Sequence, residues 1–140
     1  MTKRATNERG QATVLVIGLS LVVFSIAGLA VDGTRAFLFR RSLQNSADAA
    51  ALAAAAELDQ AAYYASGGEV AVLDENAARR SAAEWLQRRG LPLKAEVATA
   101  PDRVEVVVRG AVPTTFLGLA GITELPVAAR ADASPIAGGP

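Results

Sequence analysis

The sequence predicts an α+β protein in which a long N-terminal membrane-spanning helix continues into a small head of one amphipathic helix and a three-stranded antiparallel sheet. Three observations carry this prediction: an uncharged apolar run at 12–31, an alanine-rich run without proline at 34–66, and alternating apolar residues in segments after residue 93. A run of that length suits a membrane helix, alanine is the best helix former, and alternation is typical of half-buried strands.

The composition limits the classes of function. The 140 residues leave room for one compact domain at most, and the 14 basic and 14 acidic side chains balance. Nucleic-acid binding needs clustered positive charge, so we expect no nucleic-acid partner. The chain has no Cys and no His, and these are common metal ligands and, for His, the commonest general base. We therefore expect no metal, no cofactor and no enzymatic activity.

The segment 12–31 is predicted to cross the bilayer as a single helix. It rises about 30 Å, close to the thickness of the hydrocarbon core. Arg9 precedes the run and Asp32 follows it, so the run has sharp ends. Two alternatives stay open: a buried core helix, for which the run is long, and a cleaved secretory signal with Gly28 and Ala30 just before the cut.

Residues 1–11 form the predicted cytoplasmic leader. Three basic side chains stand on each side of the apolar run: Lys3, Arg4 and Arg9 before it, and Arg35, Arg40 and Arg41 after it. Positive charge therefore does not choose an orientation by itself. We place the N-terminus in the cytoplasm and the head outside the cytoplasmic membrane because the leader is short and the C-terminal part is a polar domain.

The segment 32–66 is predicted to continue the helix beyond the membrane. Residues spaced by threes and fours form one apolar seam, mostly of alanine: Leu43, Ala47, Ala50, Ala54, Leu58, Ala61 and Ala65. Such a seam is typical of a packed or coiled helix. Polar residues are also spaced to form side-chain pairs, Asp32 with Arg35 and Gln44 with Asp48.

The polar residues of this segment have two interpretations. They are a solvated face with local pairs, or they meet neighbouring subunits and set the register, as a polar residue does in a coiled-coil seam. The second interpretation makes the following residues candidates for a helix interface: Asp32, Arg35, Leu43, Gln44, Ala47, Asp48, Ala50, Ala54 and Leu58.

The head is predicted over residues 70–133. It begins with an amphipathic helix that Asp74 caps and that Gly90 and Pro92 end. A hairpin over 93–109 turns at Pro101 and Asp102, and a third strand follows at 125–132. The apolar connection at 112–121 has room for one helical turn. Residues 134–140 are predicted to be a flexible tail.

Four pieces of the sequence resemble the TadE/TadG-like proteins, which are pilin-like components of the bacterial tight-adherence (Flp) pilus system. The pieces are RGQATV at 9–14, GLAVDGTR at 28–35, RRSLQNSADAAALAAAAEL at 40–58 and FLGLAGITELPVAARADA at 116–133. The third piece is the specific one. The resemblance implies a single-pass pseudopilin or minor pilin of the cell envelope, with a cytoplasmic N-terminus and an extracytoplasmic head.

The resemblance also implies partners and a processing site. The partners would be the lipid bilayer and other pilin-like or pilus-assembly proteins, and self-association is left open. A prepilin-peptidase-type site would lie between Gly10 and Gln11. The fifth residue after Gly10 is Leu15, where prepilins of this type have Glu, and this departure favours the TadG-like branch and speaks against processing.

The predicted function is that of a membrane-anchored component of a tight-adherence pilus assembly or a related secretion apparatus, which acts by helix–helix packing with partner subunits. The alternative is an anchored or secreted binding module that recognises a peptide, glycan or lipid outside the cytoplasm.

Overall fold

The computed structural model describes residues 5–136, with side chains from residue 10 onward. In chain order the elements are helix α1 (Ala5–Ala55), helix α2 (Gln60–Ala65), helix α3 (Glu75–Arg88), strand β1 (Lys94–Ala100), strand β2 (Arg103–Pro113), a 3-10 turn (Leu117–Ala120) and strand β3 (Glu124–Ala133). The predicted α+β class is confirmed. Parts of the predicted leader and tail, residues 1–4 and 137–140, lie outside the described residues.

Helix α1 has 51 residues and continues through Gly33 without a break. In its uncharged part, Ser20 and Ser25 each donate a hydroxyl hydrogen bond of 2.8 Å to the carbonyl four residues earlier, which satisfies these polar groups within the helix. The large apolar side chains of this part are 46% to 71% exposed. By length and composition, α1 is the one helix among the described residues that could cross a membrane.

The predicted helix to residue 66 is wrong in its last part, because α1 ends at Ala55. Leu58 instead forms an isolated antiparallel bridge with Leu73, and the backbone N–H of Asp59 donates to the carbonyl of Val72 at 2.8 Å. Residues 58 and 59 therefore pair with residues 72 and 73, just before α3, instead of continuing the helix. Helical propensity alone could not reveal this pairing.

The predicted apolar seam divides at the same place. Its first four members are fully buried, Leu58 is half-buried, and the last two are exposed: Leu43, Ala47, Ala50 and Ala54, against Ala61 and Ala65. The buried part of the seam is therefore confined to α1.

The three strands form an antiparallel sheet in the order β1-β2-β3. Ala100 pairs with Arg103, so the hairpin turn is made by Pro101 and Asp102 as predicted. Strand β2 is longer than the predicted 103–109, because residues 110–113 continue to pair with the start of β3. Strand β1 pairs with β2 only up to Arg109. The connection between β2 and β3 therefore lies beyond the two-stranded part formed with β1.

The seam of α1, the inner face of the sheet and α3 bury one common core. The inner face of β2 contributes three fully buried valines, and α3 contributes small side chains and one leucine: Val104, Val106 and Val108, with Ala78, Ala82 and Leu86. Helix α3 begins as predicted, since Asp74 accepts backbone N–H bonds from Asn76 and Ala77 at 3.0 and 2.9 Å.

Close approach between α1 and β2 depends on Gly110. A Cβ atom at this position would lie 2.8 Å from Cε1 of Phe39 on α1, so any other residue would have to displace the Phe39 ring. Together with the alanines of the seam, this glycine lets the sheet lie directly against the helix.

We predict that replacing Ala50 with Leu destabilises the fold. Ala50 is fully buried, and added methylenes in a well-packed core cost about 1–3 kcal/mol. Ala83→Leu on the exposed side of α3 is the matched control and should cost much less. Denaturant unfolding of the detergent-solubilised protein, followed through Trp85, the only tryptophan, measures both. Equal midpoints for the Ala50 variant and the unmodified chain would contradict the packing described here.

Candidate functional site

Asp32 is a buried acidic residue at the end of the uncharged run of α1. Its side chain is 1% exposed although both flanking residues, Val31 and Gly33, are exposed. The cover comes from the connection between β2 and β3, residues 114–123, which we name the β2–β3 loop. A carboxylate is buried only where hydrogen bonds or charges compensate its lost hydration.

Three backbone N–H groups of the β2–β3 loop provide this compensation. Oδ1 of Asp32 accepts from Thr115 at 2.9 Å, and Oδ2 accepts from Phe116 at 2.9 Å and from Leu117 at 2.8 Å. These donors lie where the 3-10 turn begins, and N–H groups at the start of a helical turn have no partner within it. Phe116, the residue that precedes the turn, supplies no side-chain cap. Asp32, which belongs to α1, therefore caps the N-terminal end of this turn.

Arg35 binds the same loop from the next turn of α1. Its Nη1 donates to Oγ1 of Thr115 at 2.8 Å. The sequence predicted a pair between Asp32 and Arg35, and the structure brings both residues to one segment of backbone. The two side chains together hold the start of the 3-10 turn against the helix.

The pKa of Asp32, which lies just beyond the uncharged run, is lowered from its usual value of 3.8. The N–H of Leu117 is the strongest cause, followed by that of Thr115. The N–H of Phe116 and the positive charge of Arg35 act in the same direction, while burial opposes them. Hydrogen bonds to the charged form stabilise it. The carboxylate is therefore ionised at neutral pH and is held in that form by the loop.

Gly28 lies one turn before Asp32 and is buried by Phe116. A Cβ atom at position 28 would lie 2.6 Å from both Cβ and Cγ of Phe116, a distance that a real side chain cannot adopt. Only glycine lets the phenyl ring lie directly on the helix at this level. The loop is thus fixed at two points of α1, by hydrogen bonds at Asp32 and by close packing at Gly28.

The β2–β3 loop extends farther along the uncharged run. A groove of about 420 Å³ lies between the loop and α1, lined by Leu21, Phe24, Ser25 and Leu29 of the helix and by Phe116, Leu117, Leu119 and Ala120 of the loop. Its walls are apolar apart from one serine hydroxyl, and that hydroxyl is already bonded within the helix.

The second predicted polar pair connects α1 to the sheet. Nε2 of Gln44 donates to Oδ1 of Asp48 at 2.9 Å, as the spacing of four residues suggested. The same amide nitrogen also donates to the backbone carbonyl of Arg130 on β3 at 2.9 Å. Gln44 therefore joins the helix to an edge strand of its own head.

The apolar candidates of the predicted helix interface lie in the core. Leu43, Ala47, Ala50 and Ala54 are fully buried by the sheet and α3, and Leu58 belongs to the bridge described above. In this structure the seam is the surface on which the chain's own head packs.

The predicted processing position lies apart from this site. Gly10 and Gln11 are exposed on the first turns of α1, and a Cβ atom at Gly10 would meet nothing within 4 Å. Within the described part of the chain, no three acidic side chains converge as the ligands of a metal ion would.

The β2–β3 loop was not predicted as the partner of Asp32. One signal was present, since 110–123 is a second stretch without a charged residue. Only the antiparallel pairing of β2 with β3 brings that stretch beside the end of the first one.

Fold and site together define a protein with one long apolar helix whose second half carries a small α+β head. Residues 10–57 match the model of a family described as putative Flp pilus-assembly TadE/G-like. This is the family that the sequence resembles, and the match covers the uncharged run, Asp32 and the buried seam. Comparisons with curated proteins and with solved structures found no match.

We predict that Asp32→Asn releases the loop. An amide has one acceptor oxygen and no charge, so it cannot replace a carboxylate that receives three N–H bonds. Hydrogen exchange of the amides of residues 115–117 should accelerate by roughly tenfold or more. Asp48→Asn, an exposed carboxylate on the same helix, is the control and should leave this exchange unchanged. Equal protection in both variants would show that Asp32 does not hold the loop.

We also predict that the attachment of the loop depends on pH in one direction. Because the folded pKa of Asp32 is lowered, its contribution is complete above the unfolded value of about 3.9 and is lost as the pH falls through the lower folded value. Protection of residues 115–117, corrected for the intrinsic pH dependence of exchange, should stay constant from neutral pH down to about pH 5. A loss of protection already near neutral pH would contradict this assignment.

Proposed function

We propose that this chain is a membrane-anchored, pilin-like component of a tight-adherence pilus assembly or of a related secretion apparatus. Its N-terminus lies in the cytoplasm, residues 12–31 cross the cytoplasmic membrane, and the head lies outside the cytoplasm. Its role is structural rather than catalytic. The observation that carries the proposal is the family match over residues 10–57, which coincides with most of α1.

The architecture supports an anchoring role. The uncharged run exposes its large apolar side chains, which a water-soluble protein would have to cover and which a bilayer solvates. The second half of α1 shares its core with the sheet and α3. Anchor and head are therefore parts of one packed body, so the position of the helix in the membrane also sets the position of the head.

Contacts with partner subunits would use the side of α1 opposite the seam. This side, on residues 34–52, carries exposed apolar and polar side chains at helical spacing: Thr34, Leu38, Arg41, Asn45 and Leu52. It continues the exposed surface of the uncharged run. We propose that a helix of another pilin-like subunit packs along this face, because the opposite face is already occupied by the head.

Cleavage between Gly10 and Gln11 stays a prediction, and the N-terminal mass of the protein isolated from its native membrane tests it. The alternative function as a binding module also stays a prediction. It would require a ligand that binds the head at a site away from α1, and binding by the intact protein would have to survive substitutions on the exposed face of the helix.

We predict that Leu52→Arg reduces pilus formation. Leu52 is 67% exposed, so the substitution should leave the fold intact while placing a charge in the proposed subunit contact. In cells that lack the native gene, the variant should restore several-fold fewer pili than the unmodified chain, at equal amounts of membrane-inserted protein. Electron microscopy of surface pili and quantitative immunoblotting of the membrane fraction measure the two quantities.

Tyr64→Arg is the matched control, since Tyr64 is also large and exposed but lies on α2, away from the proposed face. It should restore pili normally. Equal loss in both variants would place the contact elsewhere, and normal pili in cells without the gene would refute the proposed function.

A further inference from the structure

We propose that the β2–β3 loop is a second membrane contact, in which the 3-10 turn lies within the leaflet on the head's side and the groove beside α1 receives a lipid acyl chain. The inference rests on the proposed function in one respect, because it requires that the uncharged run of α1 crosses the bilayer. It adds that the head is not held clear of the membrane but enters it.

The depth of the loop follows from its two attachments to α1. Hydrogen bonds fix the backbone of residues 115–117 at Asp32, and Phe116 packs on Gly28. The groove shared by helix and loop reaches Ser25 and Leu21. From Asp32 to Ser25 the helix rises about 10 Å. The turn therefore lies beside the last third of a segment that matches the hydrocarbon thickness, about 30 Å.

The chemistry of the loop suits that depth. Residues 110–123 carry no charged side chain. Leu119, at the tip, is 89% exposed, and Phe116 and Ile122 are also exposed. These side chains continue the exposed apolar surface of α1, and a contiguous patch of this kind marks an interaction surface. Because the adjoining helix surface is the one that lipid would cover, lipid is the occupant that the structure favours.

Most backbone N–H groups of the loop are hydrogen-bonded, which suits a lipid environment because an unpaired N–H is costly there. Asp32 accepts the N–H groups of residues 115–117, where the turn begins. Within the loop, Leu119 N–H donates to the carbonyl of Phe116 at 3.1 Å, and Ile122 N–H donates to that of Leu117 at 3.0 Å. The bond from Thr114 N–H to the carbonyl of Thr123, at 3.0 Å, closes the neck of the loop.

Asp32 therefore has a role beyond that of a local cap. A carboxylate just beyond the apolar run satisfies from outside the N–H groups that the turn cannot satisfy itself. Arg35, which lies farther from the run, supplies the opposite charge. The turn can then enter the hydrocarbon region without carrying a charge of its own.

The test uses the absence of cysteine from the chain. Three full-length single-cysteine variants, Leu119→Cys, Phe24→Cys and Val70→Cys, are labelled with a nitroxide and placed in vesicles of phosphatidylethanolamine and phosphatidylglycerol. Position 24 reports on the spanning helix, and position 70 is an exposed site on the head. Paramagnetic resonance then compares the accessibility of each label to oxygen, which enters lipid, and to a water-soluble nickel chelate.

We expect the ratio of oxygen to nickel accessibility at residue 119 to resemble that at residue 24 and to exceed that at residue 70 several-fold. If residue 119 instead resembles residue 70 while residue 24 is in lipid, the loop lies in water and this inference fails while the anchor stands. If residue 24 is itself in water, the proposed anchor fails and the inference with it. A label at residue 119 that neither reagent reaches, and that becomes accessible when the protein is diluted with lipid, would assign the groove to a neighbouring chain and overturn the lipid assignment.

Discussion

One carboxylate fixes the β2–β3 loop against the end of the apolar run. Asp32 accepts three backbone N–H groups that are more than eighty residues away in the sequence. Charge-assisted bonds of this kind are short and directional, so they define both the height and the rotation of the loop on the helix. The packing of Phe116 on Gly28 and the course of the groove both follow from this attachment.

A second constraint, the small side chains of the seam, makes anchor and head one body. Alanines at 47, 50 and 54 and glycine at 110 let the sheet lie close to α1. In such a dense interface even one added methylene is unfavourable. The second half of α1 therefore does not merely connect the anchor to a separate domain. It forms one side of the core of the head.

This arrangement gives the two faces of α1 different surroundings. The face with the seam holds the chain's own head, and the opposite face, with Leu38 and Leu52, stays exposed. The family match associates residues 10–57 with pilus assembly but does not extend over α3 or the sheet. A subunit that packs against others along its helix would need such a free face, and a head attached to the other face would leave it unobstructed.

The sequence by itself determined those features that depend on local periodicity. The uncharged run, the cap at Asp74, the alternation in β1 and β2 and the turn at Pro101 could be predicted because propensity, capping and side-chain period act between near neighbours in the chain. The family resemblance also came from the sequence, chiefly from the piece at 40–58. The pair of Gln44 with Asp48 was accessible for the same reason.

Only the tertiary structure decided the end of α1 and the make-up of the site. The helix stops at Ala55 because Leu58 pairs with Leu73, a contact that competes with high alanine propensity. Asp32 finds its partners because β2 runs on to Pro113 and returns as β3. Both outcomes depend on backbone hydrogen bonds between distant segments. Backbone N–H and carbonyl groups are the same in nearly every residue, so the sequence carries no local mark of which of them will meet.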